Sequence, residues 1–186
     1  METSRRGAMA LGMGSAALDL AAPALARPAE RTLILSTWDF GAAANAAAYA
    51  QWKKSGSLLD AVEAGARIPE ADPEHHSVGH AGYPDRDGHV TLDAIIMDDR
   101  GNVGAVAALE DFAHPISVAR RVMEKTPHTF LVGEGATQFA VEQGFKKEEL
   151  LTPESKKAWQ EWLKTAKYKP EANIETRSYG LGVPGG

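Results

Sequence analysis

Ser77-Val78-Gly79-His80-Ala81-Gly82-Tyr83-Pro84, followed shortly by Val90-Thr91-Leu92-Asp93-Ala94-Ile95-Ile96-Met97-Asp98, is the stretch on which the reading of this chain turns. Gly79, Gly82 and Gly88 with Pro84 predict irregular backbone over residues 77–88, held against another part of the protein. Residues 90–97 then read as a strand and residues 103–109 as a second one. Between them Asp98-Asp99-Arg100-Gly101-Asn102 supplies the Gly and Asp of a tight reversal, so the pair is predicted as a hairpin.

Working outward, Leu33, Ile34 and Leu35 make residues 31–37 a predicted first strand at a buried sheet position. Phe40-Gly41 turns the chain into an Ala-rich helix over residues 42–54, which Gly56 ends. Ser57 with Asp60 three residues on is the capping signature of a helix over residues 58–68. Its Leu59, Val62 and Ala66 share one face and are expected to pack on a sheet. The acidic segment from Pro69 to Pro73 reads as the loop that closes this unit. Beyond the hairpin, residues 115–124 are predicted as a helix with Ile116, Ala119, Val122 and Met123 inward. Residues 129–132 follow as a strand, and residues 136–143 as a helix closed by Gly144 and covered by Phe145. A last helix over residues 153–166 carries Trp159, Trp162 and Leu163 on its apolar face. Hairpin strands covered by helices point to mixed layers, an α+β class, and not to a regular βαβ ladder.

Composition narrows the function classes. The apolar fraction of 44% and charged fraction of 24% over 186 residues suit one soluble domain. A formal charge of −5 leaves no basic footprint for nucleic acid. There is no cysteine, which excludes disulfides, thiolate-bound zinc and a thiol nucleophile. At the start, Ser4-Arg5-Arg6 precedes an uncharged Ala-rich run, and Ala24-Leu25-Ala26 has the small-x-small form of a signal-peptidase site. Residues 1–26 therefore read as a twin-arginine-like export signal leading to the periplasm, with a plain Ala-rich leader as the alternative. Asp19 interrupts the run, so a membrane span is not expected.

Six blocks, in order, resemble the glycosylasparaginases, members of the N-terminal-nucleophile hydrolases. They are Ser36-Thr37-Trp38-Asp39-Phe40-Gly41, Gly56 through Leu59-Asp60-Ala61-Val62-Glu63, the Ser77–Pro84 loop, Val90–Asp98, Ile116-Ser117-Val118-Ala119-Arg120 and Thr126-Pro127-His128-Thr129-Phe130-Leu131-Val132-Gly133. The resemblance implies a four-layer αββα sandwich, of which residues 27–175 are the α-subunit portion. It implies an amidohydrolase that cleaves between N-acetylglucosamine and asparagine, without metal or cofactor, and a homo-oligomer when a β subunit completes it. The family's nucleophile is a Thr freed by self-cleavage at an Asp-Thr junction. Its own α-amine, with a pKa near ~8, takes the hydroxyl proton. No Asp-Thr pair occurs in these residues, so the expected catalytic set on this chain is none, and the chain alone is expected to be inactive.

Two positions carry over. Trp38 matches the family Trp that lines the substrate pocket after the first strand, although an aromatic there can also simply pack on its neighbours. Ser77 matches a family Ser beside the nucleophile, where it supports by hydrogen bonding; a Ser in a Gly-rich turn is the alternative. Asp85-Arg86-Asp87-Gly88 is similar to the start of a calcium loop but lacks the continued ligand ladder, and reads as a solvated turn. His75, His76 and His80 lack zinc spacing. Asn102 stands where the plant-type asparaginases carry their Thr, but in a turn, and is not a nucleophile. Where the junction is expected, the chain reads Asn173-Ile174-Glu175-Thr176, and the Gly-rich residues 176–186 are expected to be a disordered tail. A frameshift, a gene boundary drawn too early or an excised α half would each give this ending; the frameshift reading expects another frame after Glu175 to restore the junction. The alternatives for function are half of a plant-type asparaginase or isoaspartyl peptidase, and an inactive exported remnant or binding module.

Overall fold

The structure is a computed structural model and describes residues 32–167 of the chain. The export reading of residues 1–26, the Glu175-Thr176 position and the tail reading of residues 176–186 lie outside the described residues. Internal contacts divide the chain into Met1–Leu33 and Ile34–Gly186. All the elements below belong to the second unit.

Among the described residues the order is α1 (Gly41–Ser55), α2 (Leu58–Ala71), β1 (Leu92–Met97), β2 (Val103–Leu109), α3 (Pro115–Lys125), β3 (Phe130–Val132), α4 (Gly133–Glu142) and α5 (Pro153–Thr165). The predicted strand over residues 31–37 is not formed: residues 32–36 are irregular, and Leu35 is 80% exposed. A β propensity becomes a strand only by pairing, and no described segment pairs with this one.

The helix ends follow their signals. Gly56 adopts φ 71° and its amide bonds Trp52 O, while Ser57 accepts the Asp60 amide as the cap of α2. Beyond this, α2 departs from expectation. It runs through Pro69 to Ala71 instead of ending at Ile68, so the acidic loop is partly helix. The cause is Glu70, which is only 5% exposed because its carboxylate is drawn across to the start of α3. Nor does α2 lie mainly on the sheet. Its buried Ala61 and Gly65 are matched by the Ala-rich α1, and a Cβ at Gly65 would sit 3.0 Å from Ala44 O and 3.2 Å from Ala48 Cβ. Smallness, not an apolar stripe, lets these helices meet. Leu59 and Ala66 do reach the main core, but Val62 is half exposed.

β1 and β2 form the predicted antiparallel hairpin, and β3 joins β2 in parallel after the α3 crossover, giving the order β1-β2-β3. The Asp98 carboxylate closes the reversal by accepting the Arg100 and Asn102 amides and the Asn102 side chain. A bulge interrupts the ladder between Leu92 and Ala94, where Asp93 Oδ1 accepts the Ala108 amide at 2.8 Å and Ala108 takes φ 48°. One sheet face is the core: Ile96, Val106 and Leu109 meet Ile116, Val118, Ala119 and Val122 of α3 and Ala136 and Ala140 of α4. α3 rides so close that a Cβ on Gly104 would stand 2.1 Å from Ala119 O. Among the described residues no element covers the opposite face. Ile95, Met97, Phe130 and Val132 project from it with at least half of their surface exposed. The result is a mixed α+β body with a small sheet covered on one side.

α5 carries Trp162 and Leu163 differently from expectation. Trp162 and Leu163 are each 43% exposed, and the buried residue of the helix is Ser155. Its hydroxyl donates to Ala81 O at 2.6 Å and pins the first turn of the helix to the 77–88 segment.

Candidate functional site

Trp38 sits in the turn that leads into α1. The Gly41 amide bonds Trp38 O at 2.9 Å, and Asp39 Oδ1 accepts the Phe40 amide at 2.8 Å. Ser36 lies against Gly41, where a Cβ would meet the Ser36 Cβ at 2.2 Å, and donates to Asn45 Oδ1 on α1. Local chemistry therefore holds the turn while leaving the Trp38 indole 69% exposed. The indole borders a cleft of about 290 Å³, whose walls include Ser36, Phe40, Ala44, Val62 and Pro69.

Ser77 belongs to the same neighbourhood. The Phe40 ring packs on the His75 ring with centroids 4.1 Å apart, and His75 Nε2 is hydrogen-bonded to Ser77 Oγ at 2.7 Å. Phe40, which lines the same cleft as Trp38, is thus joined to Ser77 through His75, and sequence reasoning selected neither Phe40 nor His75 for the site. The aromatic at Phe40, two residues after Trp38, was the available signal. The backbone beneath Ser77 is fixed by α2: the His80 amide bonds Glu70 O at 2.8 Å, and Gly79, at φ 62°, lies where a Cβ would fall 2.0 Å from that carbonyl oxygen. Only glycine fits there, on grounds of both space and dihedral angle.

A polar seam between α2 and α3 supports this arrangement. Asp60, Glu63, Arg67 and Glu70 recur at helical spacing on one face of α2. They meet Arg120, Ser117 and His114 of α3 in antiparallel order. Arg120 bonds Asp60 at 2.8 Å, Glu63 at 2.7 Å and its own helix's Glu124 at 2.7 Å. Ser117 donates to Glu63 and accepts from Arg67. Glu70 accepts the Ile116 amide at 3.1 Å and bonds His114 Nδ1 at 3.0 Å, capping the start of α3.

The charges respond accordingly. Burial pushes the Glu70 carboxyl up, against the opposing hydrogen bonds from His114 and the Ile116 amide. Burial works to lower the Arg120 guanidinium, but bonds to Glu124, Glu63 and Asp60 outweigh it and the net shift is upward. The Arg120 hydrogen bond is the main cause that holds Asp60 below the usual carboxylate range. This seam was missed at the sequence level because only the apolar face of α2 was read. The 60, 63, 67, 70 spacing was the signal.

Chemically, the Trp38–Ser77 region offers an aromatic wall and one hydroxyl held by an imidazole. Among the described residues no three His, Asp or Glu side chains are grouped to hold a metal ion. His76 bonds Ala81 O and stacks on Tyr83. Asn102 occupies the hairpin reversal and spends its side chain on Asp98.

The family profile described as Asparaginase matches residues 25–181. The protein named N(4)-(beta-N-acetylglucosaminyl)-L-asparaginase from Elizabethkingia miricola is 60% identical over 145 residues, covering 78% of this chain and 43% of that protein. The proteins of the same name from Mus musculus and Rattus norvegicus are each 45% identical over 134 residues, covering 70% of this chain and 38% of theirs. The chain thus spans less than half the length of these relatives. The resemblance to the glycosylasparaginases, read over roughly residues 31–175, is borne out.

Proposed function

This chain belongs to the asparaginase family, and from that premise we propose that it is the α-subunit portion of an amidohydrolase acting on glycoasparagines. The complete enzyme would cleave the amide between N-acetylglucosamine and asparagine. The observation that carries this is the 60% identity over 145 residues to a protein named for that activity. Trp38 lines the substrate pocket in this reading, and Ser77, held by His75, supports the nucleophile by hydrogen bonding. The exposed indole and the Phe40–His75–Ser77 chain of contacts support both roles.

The nucleophile and the oxyanion donors come from a β-type partner, since these residues hold no Asp-Thr pair. The four-layer sandwich belongs to the same reading: the bare face bearing Ile95, Met97, Phe130 and Val132 is an apolar surface suited to a second sheet. Residues 1–26 as an export signal, residues 27–175 as the α portion, a periplasmic address and a homo-oligomeric complete enzyme complete the proposal.

The test pairs the purified chain with a β-type partner chain and measures aspartate release from N-acetylglucosaminyl-asparagine. Hydrolysis is expected with the partner and not without it. Hydrolysis by this chain alone, or none with any β-type partner that folds onto it, would refute the reading.

A further inference from the structure

The Asp85-Arg86-Asp87-Gly88 reversal, set aside above as a solvated turn, forms one wall of a cleft of about 720 Å³, which is ordinary for a small-molecule site. Tyr83 and the first face of α5, with Trp159 and Trp162, complete it. Its walls are held in place. Ser155, fully buried in the first turn of α5, ties that helix to Ala81 O, and the Ala81 amide bonds Leu150 O at 3.0 Å. Trp159 Nε1 donates to Arg86 O at 3.2 Å, so the indole is locked onto the reversal. Gly88, at φ 96°, leaves the space that the indole fills, since a Cβ there would stand 3.0 Å from the ring. Asp85 Oδ1 accepts the amides of Asp87 and His89, both at 2.9 Å. His76 stacks on one face of Tyr83 with centroids 4.7 Å apart, yet Tyr83 remains 57% exposed and presents surface to the cleft.

Such a lining sets two requirements. Three aromatic rings call for an occupant with an apolar face. Asp85 and Asp87 call for hydrogen-bond donors, because a wholly apolar occupant would strip water from carboxylates without replacing it. The two carboxylates repel an anion. Arg86 on the same wall, 3.4 Å from Asp87, offsets part of the negative charge and favours an uncharged ligand over a cation. A pyranose satisfies all of these, with a face of C–H groups and a rim of hydroxyls.

We propose that the cleft between the Asp85–Gly88 reversal and α5 binds a pyranose sugar, stacked on Tyr83 and Trp162, with Asp85 and Asp87 accepting from its hydroxyl or acetamido groups. The proposal extends the hydrolase reading and rests on it only for the choice of N-acetylglucosamine as the probe. It adds a sugar-binding surface separate from the pocket beside Trp38, with which its lining shares no residue.

The full chain is titrated with N-acetylglucosamine and its β1,4 disaccharide, followed by tryptophan fluorescence and amide NMR shifts. Saturable binding is expected, with shifts centred on residues 83–88 and 155–163. Tyr83→Ala and Trp162→Ala, on separate elements, should each weaken it at least tenfold. Asp87→Asn, which keeps the size of the side chain, should weaken it severalfold, whereas Trp52→Phe on α1 should leave it unchanged. Open-chain sorbitol should not bind. Absence of saturable binding, shifts centred on residues 36–40 and 75–77, or equal binding of sorbitol would overturn the proposal. Partner-dependent hydrolysis without sugar binding in this cleft would remove the proposal and leave the hydrolase reading. Sugar bound here without hydrolysis would do the reverse.

Discussion

Replacing Glu70 separates the two jobs its carboxylate performs. It accepts the Ile116 amide at the start of α3 and carries a negative charge at 5% exposure. Glu70→Ala removes the acceptor and leaves a buried N–H, for about 1–3 kcal/mol. Loss of the helix cap, ~1 kcal/mol, is the same interaction counted another way, so roughly 1–3 kcal/mol in total is expected. Glu70→Gln keeps an acceptor for Ile116 and removes the charge, so about 1 kcal/mol or less is expected at neutral pH. The pH dependence has a definite sign. Burial raises the folded-state pKa above its ordinary 4.5, so the native state holds the proton longer than the unfolded chain. The carboxyl's contribution is fully present below pH 4.5 and is lost as pH rises through the folded value. His114 and Arg67 are the charged or titratable groups that act on Glu70. Urea unfolding of the dilute chain, followed by far-UV circular dichroism from acid to neutral pH, should show wild type losing stability relative to Glu70→Gln as pH rises. If Glu70→Gln costs as much as Glu70→Ala, or the difference runs the other way with pH, the capping argument is refuted.

Gly104→Ala should destabilise by about 1–3 kcal/mol or more, because its Cβ would meet Ala119 O at 2.1 Å and α3 must lift from β2; an unchanged urea midpoint would contradict that close approach. Arg120→Met leaves Asp60, Glu63 and Glu124 without their shared guanidinium. With the group one-fifth exposed, solvent screening limits the loss to about 1–3 kcal/mol, and it should shrink in high salt. A loss that does not respond to salt would point to packing instead. The bare sheet face should drive self-association of the isolated chain. Sedimentation is expected to show oligomers that Ile95→Lys with Phe130→Lys converts to monomer, whereas a wild-type monomer at high concentration would refute this.

Short-range chemistry was legible in the residues themselves. Gly56 and Ser57 end one helix and start the next because a left-handed dihedral and a capping hydroxyl act within one turn. The β1–β2 hairpin follows from Asp98 and Gly101 in the same way, and the family from six ordered blocks. What the tertiary structure decided depends on partners distant in sequence. Residues 32–37 have strand-forming residues but, among the described residues, no strand pairs with them, so propensity alone leaves them irregular. Pro69 stays helical because a buried carboxylate next to it is needed at the start of α3, 46 residues away. Val62 and Trp162 lie on apolar stripes yet remain exposed, since a stripe states what can be buried and not what is there to cover it. The link from Phe40, beside Trp38 in the cleft wall, through His75 to Ser77 likewise exists only when the turn before α1 meets His75. A single chain encodes its local conformations directly, but the meeting of surfaces is decided by packing over the whole fold.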